Sequence, residues 1–116
     1  MDIRKSQDVP HQIREKCHGG EGTLQCLNLL DGVESTGLHL MHHDFLPAGV
    51  SVGKHAHLRN EEVYYLLSGR GILTYDEQTY EMNAGDISLC TRGHSHAYVA
   101  LEDSVMIVVA TKRDPQ

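Results

Sequence analysis

Apolar and polar residues alternate with a period of two along most of the chain, in short runs broken by turn residues. Thr23 to Leu30 reads as a strand ended by Asp31-Gly32, and Gly37 to Leu46 as one ended by Pro47-Ala48-Gly49. Val50 to His57 follows, then a polar turn at Leu58-Arg59-Asn60, and then Glu62 to Ser68, closed by Gly69-Arg70-Gly71. Ile72 to Tyr75 and Thr79 to Met82 flank Asp76-Glu77-Gln78 as a hairpin. Ile87 to Cys90, His96 to Leu101 and Val105 to Thr111 complete the strands. Only Val9 to Cys17 offers a helical turn, weakened by Pro10 and His11. Many short strands with glycine-rich turns predict an all-β fold: a sandwich, a jelly roll or a small barrel. Residues 1–20 and those after Lys112 are the most polar and are expected to be the least ordered.

The chain has 116 residues, room for one hydrophobic core. The expected organisation is a single domain over 1–116, with 1–20 an N-terminal extension or strand and the core at about 21–112. The longest purely apolar run, Val105 to Ala110, is six residues, whereas a spanning helix needs about 20. No membrane partner is expected. The start of the chain lacks the apolar stretch of a secretory signal. A net charge of −6 makes nucleic acid a poor partner. Cys17, Cys26 and Cys90 are odd in number and form no C-x-x-C pair, so free thiols in a reducing cytoplasm are expected. Cys90 reads as a small buried strand residue.

Nine histidines against ten Lys plus Arg direct attention to a site. His55 and His57 are one residue apart, so on a strand they share a face, about 7 Å apart at the backbone. Glu62 opens the next strand beyond a polar turn, and a hairpin brings it back beside the pair. His96 lies far along the chain just after a glycine turn. Three imidazoles and a carboxylate make a mixed nitrogen and oxygen donor set that suits manganese, iron, cobalt, nickel or zinc. Four such donors on an octahedral ion leave two positions for water or a bidentate ligand.

These residues stand in a frame that resembles the cupin family. Gly49, His55, His57, Glu62 and Gly69 in GVSVGKHAHLRNEEVYYLLSG match every spacing of that family's first motif. Gly85, Gly93 and His96 in GDISLCTRGHSHAYVA match the second, with Thr91 in place of its proline and Ala100 in place of its asparagine. The His18-Gly19-Gly20-Glu21-Gly22 leader looks like that of small single-domain cupins of the oxalate-binding and oxalate-decarboxylase-like group. The resemblance implies a double-stranded β-helix, or jelly-roll barrel, with one divalent metal per chain near one mouth. Its ligands would be His55, His57, Glu62 and His96. Glu61 and His94 are the rivals of Glu62 and His96, and both read more simply as polar turn residues. Parity turns Glu62, Tyr64 and Leu66 inward.

Leu38 to Phe45 carries a second cluster. Alternation puts His39, Met41, His43 and Phe45 on one face and Leu38, Leu40, His42 and Asp44 on the other. A histidine of this strand that lines the barrel is a candidate general base or hydrogen-bonder. His43 and Tyr64 are the catalytic candidates; Tyr98 also lines the barrel by parity. The resemblance implies a metal-dependent enzyme on a small, oxygen-rich, anionic molecule such as a carboxylate, an enediol or a sugar-like compound. Isomerase, decarboxylase and dioxygenase chemistries all suit it. The alternative is a metal-dependent binding protein or sensor without turnover. Arg59, Arg70 and Arg92 all sit in predicted turns, which argues against oxalate decarboxylation specifically. A homodimer is expected, because a barrel this small leaves sheet surface uncovered.

Overall fold

The computed structural model describes residues 3–115. Ten strands follow one another: β1 (His11–Glu15), β2 (Thr23–Asp31), β3 (Leu38–Leu46), β4 (Ser51–His57), β5 (Glu62–Ser68), β6 (Arg70–Tyr75), β7 (Gln78–Asn83), β8 (Ile87–Cys90), β9 (His94–Ala100) and β10 (Ser104–Thr111). They form two antiparallel sheets, ordered β1-β2-β3-β10-β5-β8 and β4-β9-β6-β7. This is a jelly roll, one of the architectures that the strand and turn pattern allows and the one that the family resemblance implies. Chain neighbours such as β5 and β6 belong to different sheets. Gly69 makes that switch at φ +88°, a left-handed backbone that glycine adopts without strain.

The inner faces of the sheets meet in an apolar core. Leu24, Leu46, Leu66, Tyr98 and Met106 are each no more than 1% exposed. On β5 the alternation behaves as expected: Glu62, Tyr64 and Leu66 are buried, while Tyr65 and Leu67 are exposed. The Tyr98 hydroxyl is buried against Ser104 Oγ at 2.9 Å, so the core's one polar tip there is satisfied.

The expectation of a helical turn at Val9 to Cys17 is corrected. His11–Glu15 is strand β1, in register with β2 from His11 opposite Leu27 to Glu15 opposite Thr23. Its sequence, HQIRE, is too polar to show a buried face. It becomes a strand because the free edge of β2 supplies its hydrogen-bond partners, a tertiary effect that overrides local preference. The segment expected to be loose is thus tied to the sheet. A single 3-10 turn at Cys17–Gly19 links β1 to β2.

Candidate metal centre

His55 and His57 project from β4, His96 from β9 and Glu62 from β5, so the group joins both sheets. His55 and His96 are direct register partners. The face that β4 presents depends on a bulge. Val52 pairs with Tyr98 and His55 with His96, so three residues of β4 span two of β9. Without that extra residue, Lys54 would share the inward face of Val52 and both histidines would point outward. The bulge lies at Gly53 and Lys54, where the chain presses against the Cys17–Gly19 turn. A Cβ on Gly53 would fall on the His18 carbonyl oxygen.

The four donor atoms lie within 4.8 Å of one another. His96 Nε2 is 3.1 Å from His55 Nε2, 3.1 Å from His57 Nε2 and 3.0 Å from Glu62 Oε1. Glu62 Oε1 is also 3.2 Å from His57 Nε2 and 3.5 Å from His55 Nε2. Donors about 2.0–2.2 Å from one ion stand about 2.8–3.6 Å apart in octahedral to tetrahedral geometry, so the spacing fits a single metal.

The proton inventory supports the same fit. His55 Nδ1 lies 2.8 Å from the Gly53 carbonyl oxygen, which can only accept, so the ring donates from Nδ1. His57 Nδ1 donates to Asn60 Oδ1 at 3.0 Å, and Asn60 is oriented by its own donation to the Thr111 carbonyl. With Nδ1 as the donor, the neutral form of each ring aims an Nε2 lone pair at the same point, and His96 can supply a proton to only one of them. A cation resolves that convergence. The Gly53 carbonyl and Asn60 are outer partners of the kind that hold metal-ligating imidazoles in one tautomer.

Two stacking contacts fix the rings further. Tyr64 lies flat on His96, with centroids 4.2 Å apart and an interplanar angle of 11°. His18 lies flat on His55 at 3.7 Å and 12°. Burial pushes Glu62 up, but its contacts with His55, His57 and His96 outweigh this and hold the carboxyl well below the usual carboxylate range. The Glu62 carboxylate raises His57, whereas burial lowers His96 and His18. Burial pushes the Tyr64 phenol well above its usual value, so it stays protonated.

The other expected residues fall as follows. Glu61 is outside the cluster; its backbone pairs with Thr111. His94 is bound to Asp76, Nδ1 to Oδ2 at 2.6 Å, away from the centre. Tyr64 lines a cavity of about 50 Å³ beside Glu62, and His18, Arg14, His42 and Asp44 line it too. The choice of His43 is corrected: it lies on the outer sheet face with Phe45 and Leu27, and its neighbour His42 faces the cavity. Alternation narrowed β3 to two faces, but both carry apolar residues, and only the packing of the second sheet decides which is inside.

Sequence reasoning missed His18, Asn60 and Arg14 as parts of this region. His18 stood in the glycine-rich leader with no site role assigned to it, and Asn60 in a turn whose hydrogen bonds depend on Thr111, far along the chain. Nothing in the local pattern marked them.

A jelly roll of two antiparallel sheets with a His3Glu group at the sheet junction defines a protein class, and comparison with known proteins agrees. The Cupin domain family matches residues 41–111, and the chain belongs to it. The oxalate-binding protein of Thermotoga maritima is 32% identical over 101 residues, covering 84% of this chain and 80% of that one. A crystal structure of a predicted oxalate decarboxylase, also from Thermotoga maritima, superposes with a TM-score of 0.85 at 26% identity, covering 94% of this chain and 97% of the other. An RmlC-like cupin from Shewanella frigidimarina shares the fold, with a TM-score of 0.75 at 17% identity over 99% of this chain and 94% of the other.

Proposed function

We propose that this protein holds one divalent transition ion, of manganese, iron, nickel, cobalt or zinc, on His55, His57, Glu62 and His96, and uses it as a metal-dependent enzyme on a small carboxylate or similar oxygen-rich anion. The observation that carries this reading is the meeting of three imidazole nitrogens and a carboxylate oxygen, all within 4.8 Å of one another and five of their six separations at 3.0–3.5 Å, with two of the rings locked in the ligating tautomer. When bound, such an ion supplies a Lewis acid that chelates and polarises oxygen. The cavity beside it, about 50 Å³, suits a molecule of a few non-hydrogen atoms. Tyr64 keeps its proton and donates a hydrogen bond to an oxygen of that molecule. His18, kept neutral at the cavity mouth, accepts a proton there. Arg14 on the cavity rim supplies positive charge for an anion. The relative named as an oxalate-binding protein supports the ligand class.

A second reading, binding without turnover, draws on the other arginines. Arg70 is engaged by Glu102 and Glu81, and Arg92 by Asp114, so neither is free to act as a lid. Calorimetric titration of oxalate, malonate and glycolate into metal-loaded and chelator-stripped protein tests the common core of both readings. At least one of these anions is expected to bind the loaded form alone. Equal binding to the stripped form would overturn the assignment, and product analysis on the loaded form separates enzyme from binder.

No helix among the described residues is long and apolar enough to cross a membrane. The free thiols of Cys17, Cys26 and Cys90 fit a reducing, cytoplasmic setting. The natural partner is a second copy. Across the outer face of the larger sheet, Leu27, His43, Ile107, Tyr65 and Ile87 form one row in register, and Met41, Val109, Val63 and Leu89 another. Ile87 is 67% and Leu89 48% exposed, so the apolar face lacks a cover among the described residues. A symmetric dimer covers the same face on both copies. Light scattering should give twice the chain mass; about 13 kDa at every concentration would refute the dimer.

A further inference from the structure

Along the same inner wall, two strands away from the His3Glu centre, lies a second set of donors that the proposed function does not use. Cys26 on β2 and Asp44 on β3 are direct register partners, and His42 shares the face of Asp44. Cys26 is 1% exposed, His42 6% and Asp44 7%. One ligand atom from each lies within 4.8 Å of the other two. Their inward neighbours on the same strands, Leu24, Leu40 and Leu46, are the aliphatic residues that a barrel wall ordinarily carries.

Three polar groups buried at one spot need partners. Asp44 Oδ1 has no hydrogen-bond partner among the described residues, although it is fully shielded from solvent. An unsatisfied buried acceptor costs about 1–3 kcal/mol, so the arrangement is expensive unless something fills it. Cys26, Asp44 and His42 each resist charge. Burial and the adjacent Asp44 push the Cys26 thiol up to about 12. Burial raises Asp44 to about 6, and burial together with Arg14 lowers His42 to about 4. A neutral imidazole is already in its ligating form, and a bound cation displaces the proton of a coordinating thiol.

We infer that Cys26, His42 and Asp44 form a second divalent-metal site, with the cavity side left for a fourth ligand. Thiolate, imidazole and carboxylate together suit zinc or cobalt. Thiolate and carboxylate contribute two negative charges, which balance a dication and leave the buried complex neutral. A tetrahedral ion holds its donors about 3.3–3.8 Å apart, so side-chain adjustments of roughly 1 Å close the site. Arg14 faces Cys26 from β1 and opposes a cation, but its exposure to solvent screens that effect. Val108 pairs with both His42 and Tyr64, so β3 and the strand that carries Glu62 stand two strand spacings apart, about 10 Å at the backbone. Paired catalytic ions stand about 3.5–4 Å apart, so the two sites load independently. The second site does not rest on the first.

Cobalt(II) titration of reduced, metal-free full-length protein reads the two sites separately. Only the second contains sulfur, so thiolate-to-cobalt charge-transfer absorption in the near ultraviolet reports it alone. The wild type should bind two equivalents and develop the band. Cys26→Ser should lose the band and one equivalent, whereas Cys17→Ser and Cys90→Ser retain both. His96→Ala should keep the band while losing the other equivalent. If Cys26→Ser does not fold, Asp44→Asn, with every cysteine retained, should weaken cobalt binding at the band at least tenfold. One equivalent with no band in the wild type, or a band that survives Cys26→Ser, overturns the second site. A Cys26-dependent band without a His96-sensitive equivalent overturns the first centre instead.

Discussion

His96→Ala should empty the His55–His57–Glu62–His96 centre and abolish anion binding, yet leave a cooperatively folded barrel. His96 is 1% exposed, and its Nε2 is the atom nearest to the other three donors. Loss of an outer partner of a metal ligand typically costs 10–100-fold in affinity, and loss of the ligand itself costs more. The fold has a different origin. Leu24, Leu46, Leu66 and Met106 pack the core without reference to the centre. His96 Nδ1 is itself a buried atom with no hydrogen-bond partner among the described residues, so removing the ring also removes that penalty. What is lost is stabilisation by mass action, about 2.7 kcal/mol at metal a hundredfold above its dissociation constant. For a chain of this size that is roughly 10 °C in Tm. Melts of chelated His96→Ala and of chelated wild type should therefore be cooperative and similar, both modestly below the loaded protein. Unfolding of the wild type by chelation alone would make the ion structural and remove the main support for an enzyme.

Gly53→Ala should damage site and fold together. Space is the constraint here, because the new Cβ would fall on the His18 carbonyl oxygen and 2.8 Å from the Gly20 nitrogen. Both obstacles are backbone, so no side chain can swing aside. Either the Cys17–Gly19 turn lifts away or the β4 bulge is ironed out. The first outcome unstacks His18 from His55; the second rotates His55 and His57 toward the outer face. The Gly53 carbonyl that orients His55 moves in both cases. Stability should fall by about 1–3 kcal/mol, as for other overpacked positions. Metal affinity should fall about 10–100-fold. Gly37→Ala, at a glycine with open space around it, is the control and should change neither. Urea denaturation and metal titration of the two variants decide the matter. Wild-type values for Gly53→Ala would show that the bulge does not set the phase of β4.

The sequence by itself determined the strands from β2 onward, the all-β class and the spacing that brings one carboxylate and three histidines to notice. Period-two alternation is a local property, and Glu62, Tyr64 and Leu66 obey it because one face of β5 meets the core. Parity is blind to phase, however. It pairs His55 with His57 but cannot say which way they point, because the bulge at Gly53 depends on a turn more than thirty residues earlier in the chain. It divides β3 into two faces but cannot choose His42 over His43, because the outer face is also apolar. It cannot see β1, whose strand state comes from the open edge of β2. The stacking of His18 on His55, the grip of Asn60 on His57 and the meeting of Cys26, His42 and Asp44 were likewise left to the tertiary structure. Each depends on how separate elements pack against one another, and packing, not periodicity along one strand, sets the angle and the side.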